Sequence, residues 1–134
     1  MSKQDVDTIR GGYEAFARQD IPGVMEAFAD DIEWDTPDSI PAGGVFHGKE
    51  EVGRFFQELG DHYDELRVEP DTFLDAGDHI VALGHHRGRV AGGDAFEVRW
   101  AMVWEMRDGK AAKFREYTDT APIARAVEGA AASA

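Results

Sequence analysis

An α+β fold is predicted by a change in hydrophobic period part-way along the chain. Up to Tyr63 most apolar residues recur at spacings of three and four, which is typical of helices, whereas beyond it they alternate with polar residues, which is typical of strands. The turns "AGD", "AGGD" and "RDG" separate the alternating segments, as in a strand meander. Because helices come first and strands follow, we expect helices packed on one face of a curved antiparallel sheet.

Three helices are predicted before the meander. Ser2 and Asp5 suit the start of the first helix, and Asp20 with Pro22 suits the start of a short second helix. The third helix follows the glycine- and proline-rich segment "DSIPAGGVFHG", which we interpret as a loop. The expected inward-facing residues are Val6, Ile9, Tyr13 and Phe16 in the first helix, Met25 and Phe28 in the second, and Val52, Phe55, Phe56, Leu59 and Tyr63 in the third.

Five strands are predicted. The segment "DDIEWDTP" forms the first, with Ile32, Trp34 and Thr36 on one face and Pro37 at its end. The four strands of the meander cover residues 66–74, 79–90, 95–106 and 110–120. The alanine-rich end of the chain, residues 129–134, is expected to be a disordered tail.

The register of the last two strands decides which side chains share the buried face. A two-residue turn at Asp108-Gly109 would place Trp100 beside Tyr117, whereas a three-residue turn with Gly109 in the left-handed region would place it beside Glu116. We expect the second register, because it separates apolar residues from charged ones. The apolar face then holds Val98, Trp100, Met102, Trp104, Phe114 and Thr118, with Glu116 pointing into it.

The preceding strand carries two neighbouring histidines that must face opposite sides of the sheet. A three-residue loop at "GGD" would turn His86 inward, opposite Trp100, and a loop of two or four residues would turn His85 inward instead. We favour His86, on the face that also carries the small residues Ala82 and Gly84. Since adjacent strand residues diverge, the two histidines cannot readily share a metal ion, and no metal site is expected.

The acidic composition narrows the possible partners. A formal charge of −13 and a pI near 4.6 make nucleic acid and anionic membrane surfaces poor partners. The absence of cysteine excludes disulfides and thiolate chemistry, and no phosphate-binding glycine loop or cofactor is expected. No apolar run approaches the roughly 18 residues that span a bilayer, and "MSKQDVDTIR" lacks the apolar stretch of a signal peptide. We therefore expect a cytoplasmic protein.

Glu116 is the best candidate for chemistry. An inward carboxylate beside Trp100 and Phe114 would lose hydration, which suits it to proton transfer near neutrality. His86 would share a proton with it across the sheet, the alternative being that both are satisfied structural groups. The side chains expected to line a ligand pocket, or else to form a packed core, are Trp34, Thr36, Tyr63, Val98, Trp100, Met102 and Phe114.

Three segments resemble the SnoaL-like, ketosteroid-isomerase-related proteins of the nuclear transport factor 2-like superfamily. They are "YEAFARQDIPGVMEAFADDIEW" (residues 13–34), "FHGKEEVGRFFQEL" (46–59) and "MRDGKAAKFREYTD" (106–119), which run through nearly the whole chain. The resemblance implies one domain over residues 1–128, with about three N-terminal helices on the concave face of a cone-shaped sheet, around an apolar cavity. It also implies a homodimer through the outer sheet face, where the apolar residues are Val81, Leu83, Ala101 and Val103.

The catalytic residues of ketosteroid isomerases are missing from this chain. Their aspartate base corresponds to Thr36, whose hydroxyl could hydrogen-bond a ligand oxygen but cannot replace a base. Their tyrosine on the first helix corresponds to Gly12, one place before Tyr13. Their acidic hydrogen-bond donor, near Met102 or Val103, has no counterpart. Steroid isomerisation by that mechanism is therefore not expected.

Two other activities of the resembled family match in part. Limonene-type epoxide hydrolases use an Asp, Arg, Asp set, in which the last-strand aspartate corresponds to Glu116 and the other to His86, or to His85 if the loop differs. The arginine corresponds to a glycine or a leucine, so the set is incomplete. The carboxylate used by the polyketide cyclases would be Glu116 or Asp119.

Two classes of function follow. One is a small cofactor-independent enzyme of isomerase, cyclase or hydrolase type, acting on a small hydrophobic substrate with Glu116 as acid or base and His86 as its proton partner. The other is noncatalytic, either a small-ligand carrier or a structural dimer module with a filled interior. An open cavity beside Glu116 and His86 would argue against the structural module.

Overall fold

A computed structural model describes residues 2–133 and places them in four helices and six strands. The helices are α1 (Ser2–Ala17), α2 (Ile21–Glu26), α3 (Gly48–His62) and α4 (Ala121–Ser133). The strands are β1 (Phe28–Thr36), β2 (Gly44–His47), β3 (Tyr63–Asp75), β4 (His79–Val90), β5 (Ala95–Arg107) and β6 (Lys110–Thr118). The predicted α+β class is confirmed. No helix within residues 2–133 is long and apolar enough to cross a membrane.

The six strands form one open sheet in the order β2-β1-β6-β5-β4-β3. Strands β3 to β6 form the predicted antiparallel meander. The prediction of a wholly antiparallel sheet is wrong in one place, because β1 pairs with β6 in parallel, through Trp34 with Phe114 and Asp35 with Arg115. Since parallel neighbours cannot be joined by a tight turn, most of the chain lies between these two strands.

The junction between α1 and α2 is built from two helix caps. Gln19 has a left-handed conformation, with φ of 63°, and its amide donates to the carbonyl of Phe16 at 2.9 Å. The next amide, of Asp20, donates to the carbonyl of Ala15 at 2.8 Å, which completes a Schellman cap on α1. The Asp20 carboxylate then accepts from the amide of Gly23 at 3.0 Å and caps α2. The predicted start of the second helix is confirmed.

The main core lies between the helices and the inner face of the sheet. Trp34 and Phe114, opposite each other on β1 and β6, stack with ring centroids 3.8 Å apart. Aromatic side chains bury roughly 150–250 Å² each, so such pairs contribute strongly to hydrophobic stabilisation. Other members of this core are Ile9, Tyr13, Val24, Ile32, Val52, Phe55, Ile80, Met102 and Trp104.

Three segments differ from the prediction. Residues 44–47, expected to be loop, form the edge strand β2, in which Phe46 pairs with Trp34. Phe28, expected on the second helix, is the buried first residue of β1. The end of the chain, expected to be a disordered tail from residue 129, continues α4 to Ser133, and Ala134 lies outside the described residues. Helix α4 packs on a second, smaller core through Ile123.

The outer face of the sheet carries a row of neighbouring apolar side chains. Leu83 on β4 lies beside Ala101 on β5, which lies beside Tyr117 on β6. Leu83 and Tyr117 are exposed, whereas Val81 and Val103, in the adjacent row, are half-buried. The residues predicted for the outer face therefore lie on it.

Candidate functional site

The β5–β6 hairpin closes on two residues rather than three. Asp108 and Gly109 both have positive φ, of 52° and 78°, and Arg107 pairs with Lys110 across the turn. Positive φ at both central residues is the geometry of a type I′ turn, in which Asp-Gly is a favoured pair. The predicted three-residue turn is therefore wrong.

A β-bulge beside this turn restores the predicted faces. Ala112 is an extra residue in β6 and shifts the register by one, so that Met102 lies opposite Glu116 and Trp104 opposite Phe114. The observed pairing is two residues from the predicted one, and because side chains alternate with a period of two, the inward face is unchanged. Glu116 is accordingly buried, with 9% of its surface exposed.

The β4–β5 loop turns His86 inward. Its three residues are 91–93, one place before the predicted "GGD", and Gly92 has a left-handed conformation with φ of 67°. His86 pairs with Val98, two residues from the predicted partner, and is 6% exposed. His85 faces outward, where its two ring nitrogens lie within 3.3 Å of two carboxylates. The histidine favoured by the sequence is therefore the inward one.

His86 and Glu116 meet inside the fold. His86 Nε2 lies 3.2 Å from Glu116 Oε2, and each side chain is only 7% exposed. The same carboxylate oxygen accepts a hydrogen bond from the hydroxyl of Thr118. Because an ionised carboxylate can only accept hydrogen bonds, Nε2 carries the proton when Glu116 is ionised.

The second ring nitrogen of His86 has no protein partner. Nδ1 is buried and makes no hydrogen bond to any described residue. With Nε2 protonated, a neutral ring has its lone pair on Nδ1. A carboxylate that binds one imidazole nitrogen, and so fixes the tautomer, leaves the other nitrogen able to accept a proton from a ligand.

A cavity of about 90 Å³ lies between the helices and the inner face of the sheet, with His86 and Glu116 in its wall. One water needs roughly 10–15 Å³ of such space, so the cavity is several times larger than a water site. Its wall is mainly apolar and includes Ile9, Phe16, Phe28, Phe55, Phe56, Leu59, Leu66, Val68 and Ile123. The loop between β1 and β2 contributes Ile40 and Pro41.

The structure brings most of the predicted site residues together and leaves two out. The predicted residues that line the cavity are His86, Glu116, Trp34, Thr36, Tyr63, Met102 and Phe114. Trp100 does not line it; its ring stacks on Tyr13 with centroids 5.8 Å apart and planes 8° apart. Val98 belongs to the second core beneath α4. These two residues are therefore core rather than cavity wall.

Some residues of the cavity wall were not predicted from the sequence. Leu66 and Val68 alternate with polar neighbours on β3, and that alternation was the signal that they face inward. Ile123 lies on α4, a helix that was not predicted from the sequence. Ile40 and Pro41 lie in a loop, where no periodicity marks the residues that face inward.

Two further polar atoms in the cavity wall lack a partner. Trp34 Nε1 and Thr36 Oγ1 are buried without a hydrogen bond to any described residue, although both residues line the cavity. A buried donor left unsatisfied costs about 1–3 kcal/mol of folding free energy. Together with His86 Nδ1, three buried and unpaired polar atoms therefore belong to residues of the cavity wall.

The hydroxyl groups of two tyrosines in the cavity wall already have protein partners. The Tyr13 hydroxyl accepts from Trp104 Nε1 at 3.1 Å and donates to Met102 Sδ at 2.9 Å. Burial raises the pKa of Tyr13 well above its ordinary value, the Trp104 hydrogen bond lowers it, and the charge of Glu116 raises it. Burial, and then the charge of Glu116, also raise the pKa of Tyr63, whose hydroxyl lies 3.5 Å from the carbonyl oxygen of Pro41. Both phenols are thus neutral at physiological pH.

The cavity does not gather the ligands of a metal site. Among the residues that the structure describes, no three histidine, aspartate or glutamate side chains are placed to hold one ion. His86 and Glu116 supply only two such groups, and they bind each other. The chemistry available from the wall itself is proton transfer and hydrogen bonding.

Comparison with known proteins identifies the family. A SnoaL-like domain matches residues 9–114, which is most of the chain. No curated protein shows significant sequence similarity to it. A nuclear transport factor 2-like protein of unknown function from Burkholderia pseudomallei is 36% identical, with a TM-score of 0.87, and the match covers 92% of this chain and 97% of that one.

Two other solved structures are similar over nearly the same length. A nuclear transport factor 2-like protein from Burkholderia thailandensis is 31% identical, with a TM-score of 0.87 and coverage of 92% and 96%. TerC, co-crystallised with polyporic acid, is 25% identical, with a TM-score of 0.84 and coverage of 93% and 98%. The chain therefore belongs to the SnoaL-like family and has the nuclear transport factor 2-like fold.

Proposed function

We propose that this protein is a cofactor-independent acid–base catalyst that acts on a small hydrophobic molecule held in the cavity. The observation that carries the proposal is the contact of 3.2 Å between His86 Nε2 and Glu116 Oε2, made by two side chains that are each 7% exposed. A buried histidine and carboxylate, in contact at the wall of an apolar cavity, are suited to proton transfer in a site shielded from water.

The two residues have distinct roles in this mechanism. His86 Nδ1 removes a proton from the bound molecule, and Glu116 stabilises the imidazolium that forms through the hydrogen bond at Nε2. The hydroxyl of Thr118 donates to the same carboxylate oxygen and helps to fix its position. Nδ1 then returns the proton to a different atom of the ligand, or to its leaving group, so that no cofactor is consumed.

The size and polarity of the cavity support an organic ligand. Its wall is apolar apart from a few polar groups, which is the usual composition of small-molecule sites. The similar protein TerC was co-crystallised with polyporic acid, and this supports a small organic molecule as the ligand of this chain. A net charge of −13 would repel anionic macromolecules, and it favours an uncharged ligand over a strongly anionic one.

The experiment uses 5-nitrobenzisoxazole, a planar probe of general-base catalysis. Removal of its carbon-bound proton by His86 Nδ1 breaks the nitrogen–oxygen bond and forms a nitrile and a coloured phenolate. We expect turnover by the wild type, and a loss of about 10²- to 10⁴-fold in kcat for His86→Gln. Glu116→Gln should lose a comparable factor, because it removes the charge that stabilises the imidazolium.

A matched control separates the dyad from general effects of removing histidine. His85→Gln makes the same change at the neighbouring residue, which faces outward on the same strand. It should leave turnover of 5-nitrobenzisoxazole unchanged. Equal rates for the wild type and His86→Gln, with both proteins folded, would reject the catalytic proposal.

A noncatalytic binding protein is the second candidate. The observation in its favour is Thr36, which stands where the resembled isomerases have their aspartate base and cannot itself remove a proton. On this reading the cavity binds a hydrophobic ligand, and Glu116→Gln alters affinity only modestly. Binding of 5-nitrobenzisoxazole without any acceleration of its breakdown would favour this candidate.

A further inference from the structure

We propose that Trp34 Nε1 and Thr36 Oγ1 form a subsite for one oxygen of the ligand from which His86 takes a proton. The expected ligand is therefore a small ring compound with a carbonyl-type oxygen. This inference rests on the proposed function for the role of His86, and on the burial of two unpaired polar atoms for the subsite itself.

Trp34 and Thr36 are buried residues of the sheet itself. Trp34 is 5% exposed and Thr36 is 3% exposed, and both lie on the inner face of β1. The Trp34 ring is fixed by stacking on Phe114 at 3.8 Å and by a tilted contact with Phe55 at 5.5 Å. Its N–H therefore occupies a defined position when a ligand arrives.

The chemistry of the two atoms decides what they recognise. An indole N–H can only donate, and the threonine hydroxyl can also donate, so both are satisfied by a single acceptor such as a carbonyl oxygen. The parallel pairing of β1 with β6 ends at Asp35 with Arg115, so Thr36 and Glu116 are the next residues of the two strands. The acceptor subsite and the proton-transfer pair therefore adjoin each other along two neighbouring strands.

Other polar groups of the wall do not compete for this role. Tyr13 already binds Met102 and Trp104, and the Tyr63 hydroxyl faces the carbonyl of Pro41. Trp100 Nε1 is also unpartnered among the described residues, but Trp100 does not line the cavity. Two properties coincide at Trp34 and Thr36, namely an unpaired donor and a place in the cavity wall.

The experiment compares two probes of nearly identical shape. Acetophenone has a carbonyl oxygen where α-methylstyrene has a methylene group, so the ratio of their dissociation constants reports on the acceptor alone. We expect titration calorimetry to show that Thr36→Val shifts this ratio against acetophenone by about three- to tenfold, as expected for the loss of one neutral hydrogen bond. Trp34→Phe, which keeps a ring on Phe114 but lacks the N–H, should shift it in the same direction.

A matched control is available on β3. Thr72→Val makes the same change at an exposed residue and should leave the ratio unchanged. A second readout guards against misfolding: Thr36→Val should not lower the unliganded protein's free energy of unfolding, because the hydroxyl it removes is unpaired. An unchanged ratio in Thr36→Val, or no binding of either probe to the wild type, would overturn the subsite.

The subsite and the catalytic proposal fail in different ways. If the ratio responds to Thr36→Val but no variant of His86 affects turnover of 5-nitrobenzisoxazole, the subsite stands and the acid–base role falls. If turnover of 5-nitrobenzisoxazole requires His86, but neither Trp34→Phe nor Thr36→Val changes the ratio of dissociation constants, the subsite alone is rejected.

Discussion

Gly84 on β4 lies directly opposite Trp100 on β5, and the indole occupies the space that a side chain at position 84 would need. A Cβ atom at Gly84 would lie 2.7 Å from Trp100 Cζ2 and 2.3 Å from the carbonyl oxygen of Glu69. The second of these neighbours is backbone, which cannot rotate away. The position of Trp100 against Tyr13, and of the adjacent His86, therefore depends on a glycine at this site.

Gly84→Ala is expected to destabilise the fold by about 1–3 kcal/mol, because overpacking forces backbone or side-chain shifts. Urea unfolding followed by circular dichroism measures the effect. Gly11→Ala is the matched control: Gly11 lies on α1, and a Cβ there would meet nothing within 4 Å beyond its own chain neighbours and helix backbone, so alanine should stabilise the helix by about 1 kcal/mol. Equal stability changes at the two positions would contradict the packing account.

Gln19→Gly is expected to stabilise the protein by about 1 kcal/mol. Gln19 occupies the left-handed position of the cap on α1, where a residue with a Cβ is strained and glycine is not. The same substitution inside a helix should have the opposite sign, so Gln57→Gly on the exposed face of α3 should cost about 1 kcal/mol. Thermal unfolding of both variants checks the pair, and a destabilised Gln19→Gly would mean that the Gln19 side chain makes a compensating contact.

Tyr13→Phe is expected to change how stability depends on alkaline pH. Because the folded pKa of Tyr13 is raised, the folded protein keeps this proton above about pH 10, where the unfolded chain loses it. The associated stability is complete below about pH 10 and is lost at about 1.4 kcal/mol per pH unit above it. The variant should lose stability less steeply in that range.

Measurement at neutral pH separates proton linkage from the lost hydrogen bond. There Tyr13→Phe should be less stable than the wild type by about 1–3 kcal/mol, because Trp104 Nε1 loses its acceptor. The gap between the two proteins should then narrow above about pH 10. A gap that stays constant or widens would be inconsistent with a raised pKa for Tyr13.

We expect the protein to form a homodimer through its outer sheet face. The row Leu83, Ala101, Tyr117 places two exposed apolar side chains, those of Leu83 and Tyr117, in the middle of that face. Leu83→Glu should shift sedimentation equilibrium towards the monomer. Val45→Glu alters an exposed apolar residue on the distant edge strand β2 and should not. A monomeric wild type, or dimerisation unaffected by Leu83→Glu, would argue against this interface.

The burial of Glu116 was predictable although its hairpin was not. A turn of two residues followed by a bulge at Ala112 differs from a three-residue turn by two positions in register, and a shift of two leaves every side chain on its original face. The alternation of apolar and charged residues indicates only which face of the sheet each side chain occupies. It therefore predicted the inward direction of both His86 and Glu116 but not their cross-strand partners.

Other parts of the fold could not be read from local pattern. The pairing of β1 with β6 joins residues far apart in the sequence, so no turn signal marks it. Helix α4 did have local signals, since Pro122 suits a first turn and alanine favours helix, but with only Arg125 and Glu128 charged among many small residues its period is weakly marked. Which atoms of the site lack partners, such as Trp34 Nε1, depends on the packed positions of several elements at once.

The parallel contact between β1 and β6 also constrains how the protein is made. Trp34 can stack on Phe114 only after Phe114 has left the ribosome. The sheet therefore cannot be completed until synthesis has passed β6. Such long-range pairing slows folding, and until it forms the apolar faces of the helices have no complete sheet to pack against. The nascent chain would therefore benefit from chaperone protection until its last strand has emerged.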